Sequence, residues 1–172
     1  MDTSALHKLS YGVYVVTSVK EGRYNGQIAN TVFQVTSEPP TIALSINRNN
    51  LTWEYIRASR VLAASVLCQA TPLVFIGRFG FKSGRDIDKF QGISYKIGET
   101  GAPVVLENAV AYLEGRVVNE VDVGTHTIFI AEVLAAEVVS EEVGMTYEYY
   151  HQIKGGKTPK AAATYIAEKK AQ

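Results

Sequence analysis

A single cysteine, Cys68, stands among the 172 residues. Within this chain that excludes an intramolecular disulfide, a CxxC redox pair and a multi-cysteine iron or zinc site. A charge excess of either sign is also missing, because seventeen Lys and Arg balance seventeen Asp and Glu. No global field therefore favours nucleic acid, an anionic membrane or an acidic protein surface, and any anion site must be local. No run approaches the roughly 20 apolar residues that a spanning helix needs. The longest early apolar run, residues 11–19, holds two tyrosines and two hydroxyl residues and lacks a signal peptide's basic leader and cleavage pattern. It reads as a strand, and the expectation is a cytoplasmic protein. The three histidines, His7, His126 and His151, lack zinc-ligand spacing, so no metal is expected. Residues 155–158 imitate the end of a P-loop, but His151 stands where its first glycine belongs. Neither a GxGxxG helix start nor a serine nucleophile elbow is present. If electrons move through this chain, they need an organic cofactor or a partner.

What is present is dense β signal. With 47% hydrophobic and 20% charged residues, the chain suits one domain. The division expected is a domain over residues 1–153 and an arm or linker, rich in Lys, Ala and Gly, over 154–172. β-Branched and aromatic runs recur between turn residues. After residues 11–19 the sequence predicts a turn through 20–26 and a strand over 27–35. A further strand over 41–47 puts Ile42, Leu44 and Ile46 on one face and Ala43, Ser45 and Asn47 on the other. Asn49 or Asn50 caps a short helix reaching about Ser59, and residues 61–67 return to strand. Thr71-Pro72 opens a helix that Gly77 or Gly80 should stop. Residues 83–90 read as another helical piece, and 109–121 with 126–139 as a long hairpin. Without regular helical crossovers, an antiparallel barrel with peripheral helices fits better than a doubly wound sheet.

Four polar segments interrupt the apolar ones. In Asn25-Gly26-Gln27-Ile28-Ala29-Asn30-Thr31, small residues would let backbone groups approach the polar edge of a flat heteroaromatic ring; a hairpin turn with a polar strand face fits as well. In Ser45-Ile46-Asn47-Arg48-Asn49-Asn50-Leu51-Thr52, a cation, amides and hydroxyls gather at a helix start, as a phosphate requires. Simple capping with a solvated Arg48 is the alternative. The stretch from Phe79 through Ser83, Gly84 and Arg85 to Lys89 offers further phosphate contacts or a solvated charged loop. The last segment places His126 at the mouth of an apolar strand, where it either orients a nicotinamide or is structural.

Taken in this order, these segments resemble the flavin reductase-like, FMN-binding split-barrel family, above all the flavin domain of high-molecular-weight rubredoxins and flavoredoxins. The likeness covers residues 11–18, Asn25-Gly26 through Asn30, Pro39-Pro40, Asn50-Leu51-Thr52, Phe79-Gly80, Ser83-Gly84-Arg85, Asp88-Lys89-Phe90 and residues 124–133, with Tyr149-Tyr150-His151 and Gly156-Lys157-Thr158-Pro159 near the end. It implies a mainly β, six-stranded antiparallel split barrel with flanking helices, a homodimer, and FMN in a cleft. By position, Asn25 to Thr31 with Ser45, Ile46 and Asn47 would line the isoalloxazine. Arg48, Asn50, Thr52, Arg85 and Lys89 would hold the phosphate, with Phe79, Ser83 and Gly84 nearby, and His126 would stand at the nicotinamide or acceptor site. The activity implied is electron transfer from NADH or NADPH to free flavin, rubredoxin or a flavodiiron protein; the alternative is a non-enzymatic FMN-binding electron carrier. Rubredoxin-fused relatives carry a cysteine-rich iron domain that this chain lacks, which implies an isolated flavin domain or an acceptor on a separate protein. The pyridoxamine-phosphate oxidase and haem-handling branches of the fold would need a basic pyridoxal-phosphate constellation or a histidine pair, and neither is apparent.

Overall fold

The computed structural model describes residues 2–165. A 3-10 turn over Thr3–Lys8 precedes β1 (Tyr14–Lys20), β2 (Arg23–Ala29), β3 (Val32–Ser37) and β4 (Pro40–Asn47). Then follow α1 (Leu51–Ser59), β5 (Val61–Leu67), α2 (Leu73–Phe81), β6 (Tyr95–Ile97), β7 (Pro103–Val105), β8 (Ala109–Val123), β9 (His126–Val138) and α3 (Tyr147–Gln152).

Seven strands form one antiparallel sheet in the order β2-β1-β5-β8-β9-β4-β3, while β6 and β7 pair separately. The two end strands, β2 and β3, are consecutive in the chain and joined only by Asn30 and Thr31. Such a link spans at most about 11 Å from Ala29 to Val32, so the sheet must curl until its two ends meet. The result is a barrel split along one seam. It is the mainly β, antiparallel barrel with flanking helices expected from the sequence, with seven strands in the sheet rather than six.

The interior is filled by Val16, Leu44, Ile46, Leu62 and Phe129, with Ile56 of α1 closing it. At about 1.5–3 kcal/mol for each large side chain fully buried, this core fixes the strands that flank the seam. On β1, Val16 faces inward and Val15 joins a second cluster with Phe75, Ile76 and Phe79 of α2. That strand is buried on both faces, which explains its nearly continuous apolar run. β4 keeps the predicted alternation: Ile42, Leu44 and Ile46 enter the core, and Ser45 and Asn47 face a cleft.

Several boundaries differ from the sequence reading. Asn25-Gly26 is not a turn but lies inside β2, because the hairpin turns earlier, at Glu21 and Gly22, with φ of 50° and 73°. The pairing of Lys20 with Arg23 makes this a two-residue loop whose positive φ values suit the strand twist. The single strand expected over 27–35 is broken at Asn30-Thr31, where the barrel splits. Residues 83–90 form turns rather than a helix. The Ser83 hydroxyl accepts from Arg85 N at 3.1 Å and Asp88 Oδ1 from Phe90 N at 2.9 Å, and such local bonds compete with helical ones. Asn50 is the N-cap of α1 as expected, yet its side chain makes no capping bond. α2 runs past both Gly77 and Gly80 to Phe81. β6, β7 and α3 were not anticipated.

Candidate functional site

A cleft of about 330 Å³ opens along the seam, within the size range of small-molecule sites. β2 supplies one wall through Asn25, Gln27, Ile28 and Ala29, continued by Asn30. Ser45 and Asn47 come from the end of β4, and Asn50, Leu51 and Thr52 from the start of α1. The end of α2 and the loop beyond it bring Phe79, Ser83, Gly84, Arg85 and Lys89. His126, at the start of β9, completes the sequence-predicted set.

Register explains this convergence. Asn47 pairs with His126 across β4 and β9, so the second and fourth polar segments are neighbours although 79 positions apart in sequence. The first and second are tied by Asn25 Nδ2 donating to Thr52 Oγ1 at 2.8 Å, both residues being buried. The third is tied to the first by Lys89, whose Nζ donates to the carbonyls of Gly26 (2.8 Å) and Phe79 (3.0 Å). Gly84 lies so close to Asn25 that a Cβ there would meet its Oδ1 at 2.0 Å. Arg85 forms an ion pair with Glu54 at the rim.

Four candidates stand apart from the cleft wall. Ile46 is wholly buried in the core. The Arg48 guanidinium lies over the Trp53 ring, 5.9 Å from its centroid. Gly26 packs inward against Thr17 and Phe79 and offers only its carbonyl to Lys89. Thr31 donates to Asn30 Oδ1 at 2.8 Å and lines a neighbouring cleft with Tyr11, Tyr14 and Phe33.

Tyr147 and Tyr150 of α3, Lys157, Pro159 and residues 161–163 all line the cleft but were not among the expected site residues, although the family resemblance included Tyr150, Lys157 and Pro159. Two tyrosines three residues apart beside His151 were the available signal, since that spacing puts both rings on one helical face. Lys82 also lines it, adding a third cation from the same loop.

The electrostatics favour an anionic ligand. Lys89 is 5% exposed, and no ion pair to it is found among the described residues. Burial lowers its pKa from 10.5 to about 8. A buried ammonium whose partners are only carbonyls is incompletely compensated, and a phosphate would supply the missing charge. Gln27 Oε1 is buried with no hydrogen-bond partner among the described residues, an acceptor suited to a ligand N–H. The donor set therefore fits a flavin mononucleotide, with cations and hydroxyls toward one end of the cleft and the polar edge of β2 along it. His126 is held below the usual histidine pKa by burial, opposed by a hydrogen bond to the Ala161 backbone. Its imidazole is neutral at pH 7, and its Nδ1 lies 2.8 Å from Thr125 Oγ1.

Among the described residues no group of three or more His, Cys, Asp or Glu could hold a metal ion, and no helix is long and apolar enough to cross a membrane. Residues 6–155 match the flavin reductase like domain model. The chain is 55% identical over 165 residues to the high molecular weight rubredoxin of Moorella thermoacetica, covering 96% of this chain and 72% of that one. It is 49% identical to the ferric-chelate reductase (NAD(P)H) of Archaeoglobus fulgidus, over 98% of this chain and all of that protein. Its fold matches the solved NADH:FAD oxidoreductase of Streptomyces globisporus with a TM-score of 0.74 and 28% identity, covering 83% of this chain and 84% of the other. A split barrel, a cleft built for a phosphorylated flavin, and these likenesses agree: the chain belongs to the flavin reductase-like family.

Proposed function

We propose that the chain is an FMN-dependent NAD(P)H oxidoreductase that passes electrons to free flavin, rubredoxin or a flavodiiron protein. The observation that carries this reading is the buried Lys89, facing the cleft between β2 and the start of α1, whose partners among the described residues are two carbonyls. Lys89, Asn50, Thr52, Ser83 and Arg85 hold the phosphate, and Arg85 exchanges Glu54 for it. Asn25, Gln27, Ala29 and Asn30 hold the ring edge, with Ser45 and Asn47 beside it. When bound, the flavin supplies the redox chemistry, accepting a hydride equivalent from the nicotinamide and releasing electrons to the acceptor. The protein's part is to bind, orient and exclude water, and no general acid is required of it. The neutral His126 orients the nicotinamide as a hydrogen-bonding wall.

Exposed apolar residues support a homodimer. Phe33 and Val35 of β3, Val118 and Val121 of β8, and Val138 of β9 are each 47% exposed or more and offer apolar surface that a second copy would cover. Relatives named as a rubredoxin and as a ferric-chelate reductase support two acceptor classes, a small iron protein and a soluble ferric complex. A lone buried thiol, Cys68, is in keeping with the cytoplasm.

The test is an absorption spectrum of the purified protein with added FMN, recorded anaerobically before and after NADH and then NADPH. Bleaching by either nucleotide is the expected result and names the donor. A bound flavin that stays oxidised would instead identify an electron carrier, and a protein that takes up no FMN would refute the assignment of the cleft.

A further inference from the structure

Resting on that reading of the cleft, we propose that residues 157–164 form a gate over its His126 side, with Tyr147 as the positioning residue that holds the gate shut. Pro159, Ala161, Ala162 and Ala163 line the cleft together with His126. The backbone bonds made within residues 158–165 are local, from Ala162 N to Pro159 O (3.0 Å) and from Tyr165 N to Ala162 O (3.1 Å).

Side chains pin the segment to the barrel and to α3. Asn30 Nδ2, at the seam, donates to Thr164 Oγ1 at 2.7 Å, and Thr164 Oγ1 donates to the Tyr147 hydroxyl at 3.3 Å. That hydroxyl also lies 2.5 Å from Thr158 Oγ1, which is 3.2 Å from His151 Nε2. Tyr147 is thus the hub of a hydrogen-bonded chain running from Asn30 to His151. Its ring packs within α3, edge-on to His151 at 4.4 Å and stacked on Tyr150 at 5.9 Å. The ring packing belongs to α3, and the hydroxyl belongs to the gate.

A segment held by a few side-chain bonds opens at far less cost than a strand. The alanines occupy the side of the cleft where a planar nicotinamide would meet His126, so entry requires opening. A ligand that binds only the open form has its apparent affinity reduced by the open fraction. Loosening the hub therefore tightens apparent nicotinamide binding.

The test compares wild type with Tyr147→Phe, which keeps the ring, and Thr158→Val, whose side chain lies outside the cleft. Amide hydrogen exchange at Ala162 and Tyr165, whose amides are bonded within the segment, is followed without FMN, then FMN affinity by fluorescence, then KM and kcat for NADH. In both variants exchange should quicken about tenfold, the equivalent of one net hydrogen bond. KM for NADH should fall about threefold or more in both, and Thr158→Val should leave kcat and FMN affinity close to wild type. Unchanged exchange would show that the hub holds nothing. Faster exchange with an unchanged KM would make the segment a static cover, which overturns the gate. Because the exchange arm needs no cofactor, a wild type that binds no FMN refutes the reading of the cleft without altering what the exchange shows about the pins.

Discussion

Replacing Lys89 with Met removes the cation from the cleft wall while keeping an unbranched side chain of similar reach. In the cofactor-free protein the drop in its pKa from 10.5 to about 8 corresponds to about 3 kcal/mol spent on burying charge. Against this stand two charge-assisted bonds, to Gly26 O and Phe79 O, whose loss leaves two carbonyls unsatisfied at about 1–3 kcal/mol each. The balance runs from about 1 kcal/mol gained to about 3 kcal/mol lost, so Lys89→Met should fold. FMN binding has no such compensation. Losing one charge-assisted phosphate contact, about 1.5–3 kcal/mol, should raise the Kd roughly 10- to 150-fold.

The pH dependence has a definite sign. A bound phosphate raises the pKa of Lys89, so below about pH 8 both free and bound protein carry the proton and affinity is full. Above it, binding must take up a proton, and the Kd should climb toward about tenfold per pH unit. Stability of the cofactor-free protein runs the other way. Between about pH 8 and 10.5 the unfolded chain holds more protons than the folded one, so stability rises with pH. Fluorescence titrations of FMN from about pH 7 to about pH 9.5 test this, and Lys89→Met should show no such climb. A wild-type Kd that is flat over this range, or a Lys89→Met variant binding FMN as tightly as wild type, refutes the argument.

Gly84→Ala would drive a methyl into Asn25 Oδ1 and to 3.2 Å from Leu51 Cδ2, breaking the Asn25–Thr52 bond. The expected result is about 1–3 kcal/mol of lost stability in a denaturant melt and FMN binding weakened about tenfold. His126→Ala should raise the KM for the nicotinamide about tenfold and leave FMN affinity near wild type; flavin reduction at the wild-type rate in stopped flow would disprove that role. Phe129→Ala, at a site with 0% exposure, should cost about 3–5 kcal/mol in urea unfolding.

The barrel was readable because its signal is long-range periodicity repeated many times. The β8–β9 hairpin and the alternation of β4 follow directly from side-chain spacing. What escaped was short or locally contradictory. β6 and β7 have three residues each, too few to show a period. Asn25-Gly26 is a strong hairpin signal in isolation, but Glu21-Gly22 makes the turn first, and Gly26 is instead required by the close approach of Thr17 and Phe79. For the cleft, residue types were legible and directions were not. Ile46 and Asn47 are adjacent in sequence, and only the pleat decides that one enters the core and the other faces the cleft. The role of residues 157–164 could not be read at all, because their placement depends on bonds to Tyr147 and Asn30 that leave no periodic trace.

The two-residue join at Asn30-Thr31 has a consequence for how this protein meets other chains. An open seven-stranded sheet would present two rows of unpaired amides and carbonyls to the solvent, an invitation to any passing β-strand. Here the free border of β2 lines a recess walled by α1 and the loop after α2, of a size for a small molecule. A border that elsewhere would need charged or proline guards becomes a place of recognition, and a ligand seated there shields what the backbone leaves unpaired. Lengthening the join by even a few residues would let the sheet uncurl, so loss of ligand binding and a gain in self-association should appear together.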